Sequence, residues 1–184
     1  MKTNYLIISL IVILFFTLTA NSQITKGNWM VGGDGSYLNN TISHNGHTSK
    51  YTMIEINPDI GYFIKDKFAI GSYLNFQHLQ LDTDNSSYYL GIFTRYYFFN
   101  KENVYNAFSQ INYDYNLHTS DLNSFGYKYG FKLGVIAFFT NSVGLELSLG
   151  YDTNTNTTKG EYTNKIKTDR IKANIGFHFY LEKK

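Results

Sequence analysis

The sequence predicts an all-β protein: an eight-stranded antiparallel up-and-down transmembrane β-barrel preceded by a signal peptide. Three observations predict it. The chain opens with the three-part layout of an export signal. Beyond it, stretches of about ten residues or more alternate apolar side chains on one parity with polar or glycine residues on the other, the period-2 pattern of strands with two unlike faces. Short and long connections then alternate along the chain, as a barrel with tight turns at one end and loops at the other demands.

The export signal comes first. Residues 1–5 carry one lysine, residues 6–18 are uncharged and apolar apart from Ser9 and Thr17, and Ala20-Asn21-Ser22 sets small residues where a signal peptidase cuts. The apolar run is shorter than the ~20 residues a spanning helix needs. Residues 1–22 therefore read as a cleaved signal peptide and residues 23–184 as one barrel domain.

The strand segments follow in order. Segment one, 28–38, has Trp29, Val31 and Tyr37 on one parity but is interrupted by Gly32, Gly33 and Gly35. Segment two sets Ile54, Ile56, Ile60, Tyr62 and Ile64 against Glu55, Asn57, Asp59 and Gly61. Pro58 shares its apolar face, and the ladder bond a proline loses there predicts a bulge. Segment three sets Phe68, Ile70, Leu74 and Phe76 against Gly71, Tyr73, Asn75 and Gln77. Segment four sets Tyr88, Leu90, Ile92, Tyr96 and Phe98 against Tyr89, Gly91, Phe93 and Arg95. Segment five, 104–117, sets Ile111, Tyr113, Tyr115 and Leu117 against Gln110, Asn112 and Asp114. Segment six is the cleanest: Phe125, Tyr127, Tyr129, Phe131, Leu133 and Val135 alternate with Gly126, Lys128, Gly130, Lys132 and Gly134. Segment seven sets Val143, Leu145, Leu147, Leu149 and Tyr151 against Gly144, Glu146, Ser148 and Gly150. Segment eight sets Ile171, Ala173, Ile175, Phe177, Phe179 and Leu181 against Arg170, Lys172, Asn174, Gly176 and His178. The short links are 65–67, 100–103 and 140–142; the long polar ones are 39–50, 82–87, 118–123 and 152–167.

Alternation alone does not say which face is inside. The polar rows decide it. They hold Glu55, Asp59, Arg95, Asp114, Lys128, Lys132, Glu146, Arg170 and Lys172 among many glycines. Glycine on a solvent-facing strand costs entropy and packs nothing. In a crowded lumen it makes room for large side chains from across the barrel. An eight-stranded lumen is about one layer of side chains wide, so the charges there are expected to pair as a network, which offsets their desolvation. The apolar rows then face lipid. They end in aromatic rings on both sides: Tyr37, Tyr88, Tyr115, Phe125, Tyr127 and Tyr151 toward the long links, and Tyr62, Phe68, Tyr96, Phe98, Phe139 and Phe179 toward the short ones. With 17 tyrosines and 15 phenylalanines, the chain is rich in residues that favour strands.

Composition and spacing exclude several function classes. There is no cysteine, hence no disulfide and no thiolate for catalysis or metal binding. Sixteen basic and fourteen acidic residues leave no basic surface for nucleic acid. His44 and His47 lack further metal ligands, and Asp82, Asp84 and Asn85 are followed by no calcium-loop pattern. His118, Ser120 and Asp121 are neighbours in a polar link, which is not how a fold assembles a triad. His178 lies on the polar row, where hydrogen bonding inside the barrel is expected. Residues 152–158, rich in Thr and Asn, read as an external loop. No catalytic residue, cofactor or metal site is expected.

Residues 58–71, 93–98 and 134–151, each a strand–tight turn–strand pattern or its edge, resemble the small outer-membrane β-barrel family, the single-domain relatives of the outer-membrane protein A and X barrels. With the signal and the closing strand, the resemblance covers the whole mature chain. It implies residence in the outer membrane of a diderm bacterium after general secretion, contact with outer-membrane lipid, and handling by the barrel-assembly machinery. Such barrels usually end on an aromatic residue; this chain adds Glu182-Lys183-Lys184 after Phe179-Tyr180-Leu181. The resemblance specifies architecture rather than activity. The expected function is a non-enzymatic barrel presenting surface loops for binding or envelope integrity, its external ligand unknown. The alternatives are a narrow porin-like solute pore or an enzyme acting on outer-membrane lipid.

Overall fold

The computed structural model describes residues 24–44, 47–80, 84–117, 124–158 and 163–183. The expected signal peptide, residues 1–22, and the polar stretch containing His118, Ser120 and Asp121 lie outside the described residues. The rest forms β1 (Trp29–His44), β2 (His47–Lys65), β3 (Phe68–Gln80), β4 (Asp84–Tyr97), β5 (Tyr105–Asn116), β6 (Ser124–Thr140), β7 (Val143–Thr158) and β8 (Asn164–Leu181). Each strand pairs antiparallel with its sequence neighbours, and β8 returns to β1 to close the barrel in the order β1 to β8.

The strands are longer than the apolar pattern predicts. In the regions 39–50, 82–87 and 152–167, expected as long external loops, nearly all of the described residues are strand. β1 and β2 pair as far as His44 opposite His47, β3 and β4 as far as Gln80 opposite Asp84, and β7 and β8 as far as Thr158 opposite Asn164. The reason is residue type. The Thr and Asn positions of 152–158 carry no apolar alternation, yet β-branched threonine suits a pleated sheet, and polar side chains fit a strand that has left the lipid. Pro58 brings a second correction. Pairing with β3 runs from Ile56 opposite Phe76 to Asp59 opposite Tyr73 in unchanged register, so no bulge forms there; the register shifts between Phe63 and Lys65 instead. That shift adjoins the tight turn, where Lys67 adopts a left-handed backbone (φ 64°).

The faces sort as an inside-out protein. Leu147, Leu149, Ile92, Ile111 and Ile175 are exposed on the outside, whereas Glu55, Arg95, Asp114, Glu146 and His178 are buried within. Outward aromatics mark two levels. Trp29, Tyr96, Phe98, Tyr105 and Phe179 stand near the turn end, with Tyr37, Tyr88, Tyr115, Tyr129 and Tyr151 toward the other. The separation from Trp29 to Tyr37 along β1 matches the roughly 9–11 residues a tilted strand needs to cross a bilayer. No helix among the described residues is long and apolar enough to cross a membrane.

The interior changes character along the axis. At the turn end the inward rows are aromatic, not polar: Phe63, Tyr97, Phe108, Phe138 and Tyr180 pack with Met30 and Ile136. Ile24 joins them at 1% exposure. It is held by the Lys67 amide donating to its carbonyl at 2.9 Å, and the Gly27 amide nearby donates to Phe63 at 2.8 Å. The turn-end mouth is thereby stoppered by an apolar layer. Inward glycines lie under bulky neighbours, as at Gly91, where an added Cβ would collide with the Asp114 carboxylate and the Tyr73 ring.

Two outcomes test this packing by urea unfolding in detergent micelles. Gly91→Ala should destabilise the barrel by about 1–3 kcal/mol through overpacking, whereas Gly150→Ala, whose Cβ would find ordinary contacts at 3.5 and 3.8 Å, should be nearly silent. On the outer face, Leu147→Arg, at a side chain 54% exposed, should cost about 2–4 kcal/mol in lipid but little if water bathes that face.

Candidate functional site: the luminal charge network

Above the aromatic layer the lumen is filled by charged and amide side chains. Eight strands admit only about one layer of them across, so each must find its partner over the middle or beside it. The lowest level centres on Arg95 of β4, which reaches Glu146 of β7 at 2.7 Å with both side chains fully buried. Its Nε also donates to Gln110 Oε1 at 2.8 Å, and the guanidinium sits 4.4 Å over the Phe108 ring. His178 completes the level, with Nε2 2.9 Å from Asp59 and Nδ1 3.4 Å from Glu146.

The middle level crosses the lumen twice from β6. Lys132 pairs with Asp34 of β1. Lys128 donates to Asn75 Oδ1 of β3 at 2.9 Å, lies 3.9 Å from Asp114, and stands 4.5 Å over the Tyr89 ring. A relay of amides joins the two crossings: Asn75 donates to Asn57 at 2.5 Å, and Asn57 donates to Asp34 at 2.7 Å. The upper level is a four-membered cluster. Lys172 contacts Glu55 at 2.5 Å and Asp152 at 2.6 Å, while Arg170 contacts Asp152 at 3.0 Å and Glu55 at 3.8 Å. Between the middle and upper levels lies a polar cavity of about 40 Å³, lined by Asp34, Asn57, Asn75, Lys128, Lys132 and Lys172 among others. It suits a few water-sized molecules.

All nine charged residues singled out from the sequence, Glu55, Asp59, Arg95, Asp114, Lys128, Lys132, Glu146, Arg170 and Lys172, face this interior; seven meet one another, while Asp59 meets His178 and Lys132 meets Asp34. Asp34, Asp152 and His178 are equally part of it. Asp34 stands in the glycine-broken first segment, where the alternation is weak. Asp152 continues the parity of Glu146, Ser148 and Gly150 past Tyr151, a signal that the polar composition of the following residues obscures. Chemically, the arrangement pairs and immobilises charge. Among the described residues no group of His, Asp and Glu is arranged to hold a metal ion.

No known family model matches the chain, and no curated protein matches it by sequence. Solved structures do match. The outer membrane protein OprG from Pseudomonas aeruginosa superposes with a TM-score of 0.57 at 12% identity, covering 88% of this chain and 100% of that one. Neisserial surface protein A superposes with a TM-score of 0.54 at 17% identity, covering 84% and 99%. The likeness is one of fold. This chain shares with them the closed eight-stranded barrel fold.

Removing one member of the lowest ion pair tests the network. Glu146→Ala should destabilise the barrel by about 3–5 kcal/mol, because Arg95 would remain a buried cation without its carboxylate. The double change Arg95→Met with Glu146→Leu should recover much of that loss. Chemical unfolding in micelles measures both.

Proposed function

We propose that the protein is a non-enzymatic barrel of the outer membrane whose lumen is a structural plug and whose working part is the strand rim on the far side of the bilayer. The obstructed interior carries this reading. Side-chain bonds cross the lumen at the levels of Arg95–Glu146, Lys132–Asp34 and Lys128–Asn75, and the apolar layer around Ile24, Tyr97 and Tyr180 lies beneath them. A solute would have to break buried ion pairs and then part a packed aromatic layer. Each such step costs several kcal/mol, which favours an architectural role for the lumen over transport.

The outer-membrane location is supported by the likeness to OprG, which is itself described as an outer membrane protein. The apolar girdle between two aromatic levels fits the same place. The rim departs from the loop-presenting barrel expected from the sequence. β1–β2 and β7–β8 extend as paired strands beyond the level of Tyr37 and Tyr151, so the presented surface is sheet as well as loop.

In planar bilayers the purified, folded protein should show no steady channel of porin size. Steady conductance through the unmodified protein would overturn the plugged-lumen reading and favour a solute pore.

A further inference from the structure

Above the Ser36–Asn174 pair the barrel wall parts. β1 goes on pairing with β2 to His44, and β8 goes on pairing with β7 to Asn164. Among the described residues, however, no β1–β8 partners follow Ser36 and Asn174. A continued register would set Leu38 against Lys172 and Asn40 against Arg170. Instead residues 164–173 of β8 form a free edge whose outward-directed backbone groups have no strand beside them. The parting begins at the level of Tyr37 and Ile171, the upper margin of the apolar band. An open edge is excluded from hydrocarbon but permitted in the polar zone beyond it.

The chemistry of that edge is specific. Lys165 and Lys167 are exposed and share a side with Asp169 and Ile171; Ile166 and Arg170 lie on the other. Ile171 is 72% exposed, more than any other large apolar side chain described, and Ile166 is 59% exposed. A long bare edge invites pairing with any strand, and lysines on an edge repel a second copy of themselves. Asp169 stands 3.9 Å from Lys167, so two lysines face one aspartate along this edge, and the remaining positive charge favours a partner that brings negative charge. It must also bring a backbone, because only another strand matches a row of alternating donors and acceptors. A phosphate would answer the lysines but leave the backbone row and Ile166, above the apolar band, unmet.

We infer that the upper half of β8 is a docking edge for an extended acidic polypeptide segment, taken up by strand addition. The inference rests on the reading that the rim is the working part, and it names the class of partner the rim takes.

The test uses the full chain folded in nanodiscs and three fluorescent peptides. One alternates Glu with Val and Thr. The second has Lys for Glu. The third is the acidic peptide N-methylated at every second backbone nitrogen. The acidic peptide should bind at least about tenfold more tightly than the basic one, a margin of the size charge complementarity provides, and added salt should weaken it. The N-methylated peptide should not bind. Lys165→Glu combined with Lys167→Glu, both at exposed positions, should reverse the preference while leaving folding intact by gel mobility. Absence of acidic-peptide binding would overturn the inference. So would equal binding of the N-methylated peptide, full competition by inorganic phosphate, or an unchanged preference in the double variant. Conductance is read separately: a barrel that conducts sinks the plugged-lumen reading, whereas a closed barrel that ignores the peptide sinks only the docking edge.

Discussion

Arg95 and Glu146 meet at 2.7 Å in the middle of a barrel from which both side chains are wholly excluded from solvent. Neither tolerates that position alone. A buried, unpaired charge carries a penalty of several kcal/mol, and here the two come from β4 and β7, on different sides of the wall. The pair therefore fixes how those strands stand relative to each other. The same holds one level up, where β6 reaches β1 through Lys132 and β3 through Lys128. Charge pairing across the lumen acts as a set of struts. The closed ladder of backbone bonds sets the wall, and the struts set which residue of one strand faces which residue of another.

The struts also explain the rest of the interior. Side chains that long need space, and glycine provides it; Gly91 yields to Tyr73 and Asp114. A guanidinium that has lost its water gains from aromatic faces, and Arg95 lies over Phe108. Below it, among the described residues, apolar groups close the end. Tyr97 and Tyr180, hydroxyl to hydroxyl at 2.8 Å, mark the boundary between the charged and apolar layers. The outer face follows a separate rule. Lipid asks only for apolar surface and polar rings at its margins, so it constrains residue class but hardly residue identity.

This division shows why some of the structure was legible in the sequence. Lipid contact on one parity and charge on the other give alternation, which located every strand and assigned Glu55, Arg95, Lys128, Glu146 and Lys172 to a common face. Strand ends were less legible because the alternation stops where the lipid stops, while backbone pairing does not. Asp152 was lost to this effect, together with the extension of β7 through Thr158. The aromatic layer was hidden for another reason. Tyr97, Phe138 and Tyr180 adjoin outward-parity aromatics in sequence, and a run such as Tyr96-Tyr97-Phe98 has no contrast between its faces. Pairings across the lumen, such as Arg95 with Glu146, depend on barrel curvature and have no trace in sequence spacing. The bulge expected at Pro58 did not form: β2 keeps one register against β3 on both sides of it, and against β1 Pro58 stands opposite Gly33.

The two parities of each strand see different media, and this difference ends at the upper aromatic level. A nitroxide scan along β7 in lipid bilayers measures it directly, and the cysteine-free chain suits the labelling. Labels at 145, 147, 149 and 151 should collide with oxygen dissolved in the lipid, and those at 144, 148 and 150 with neither oxygen nor an aqueous nickel reagent. Beyond Asp152 the oxygen signal should fade and the aqueous reagent should gain access at outward positions. A scan with the parities exchanged, or with aqueous access at 147 and 149, would contradict the claim.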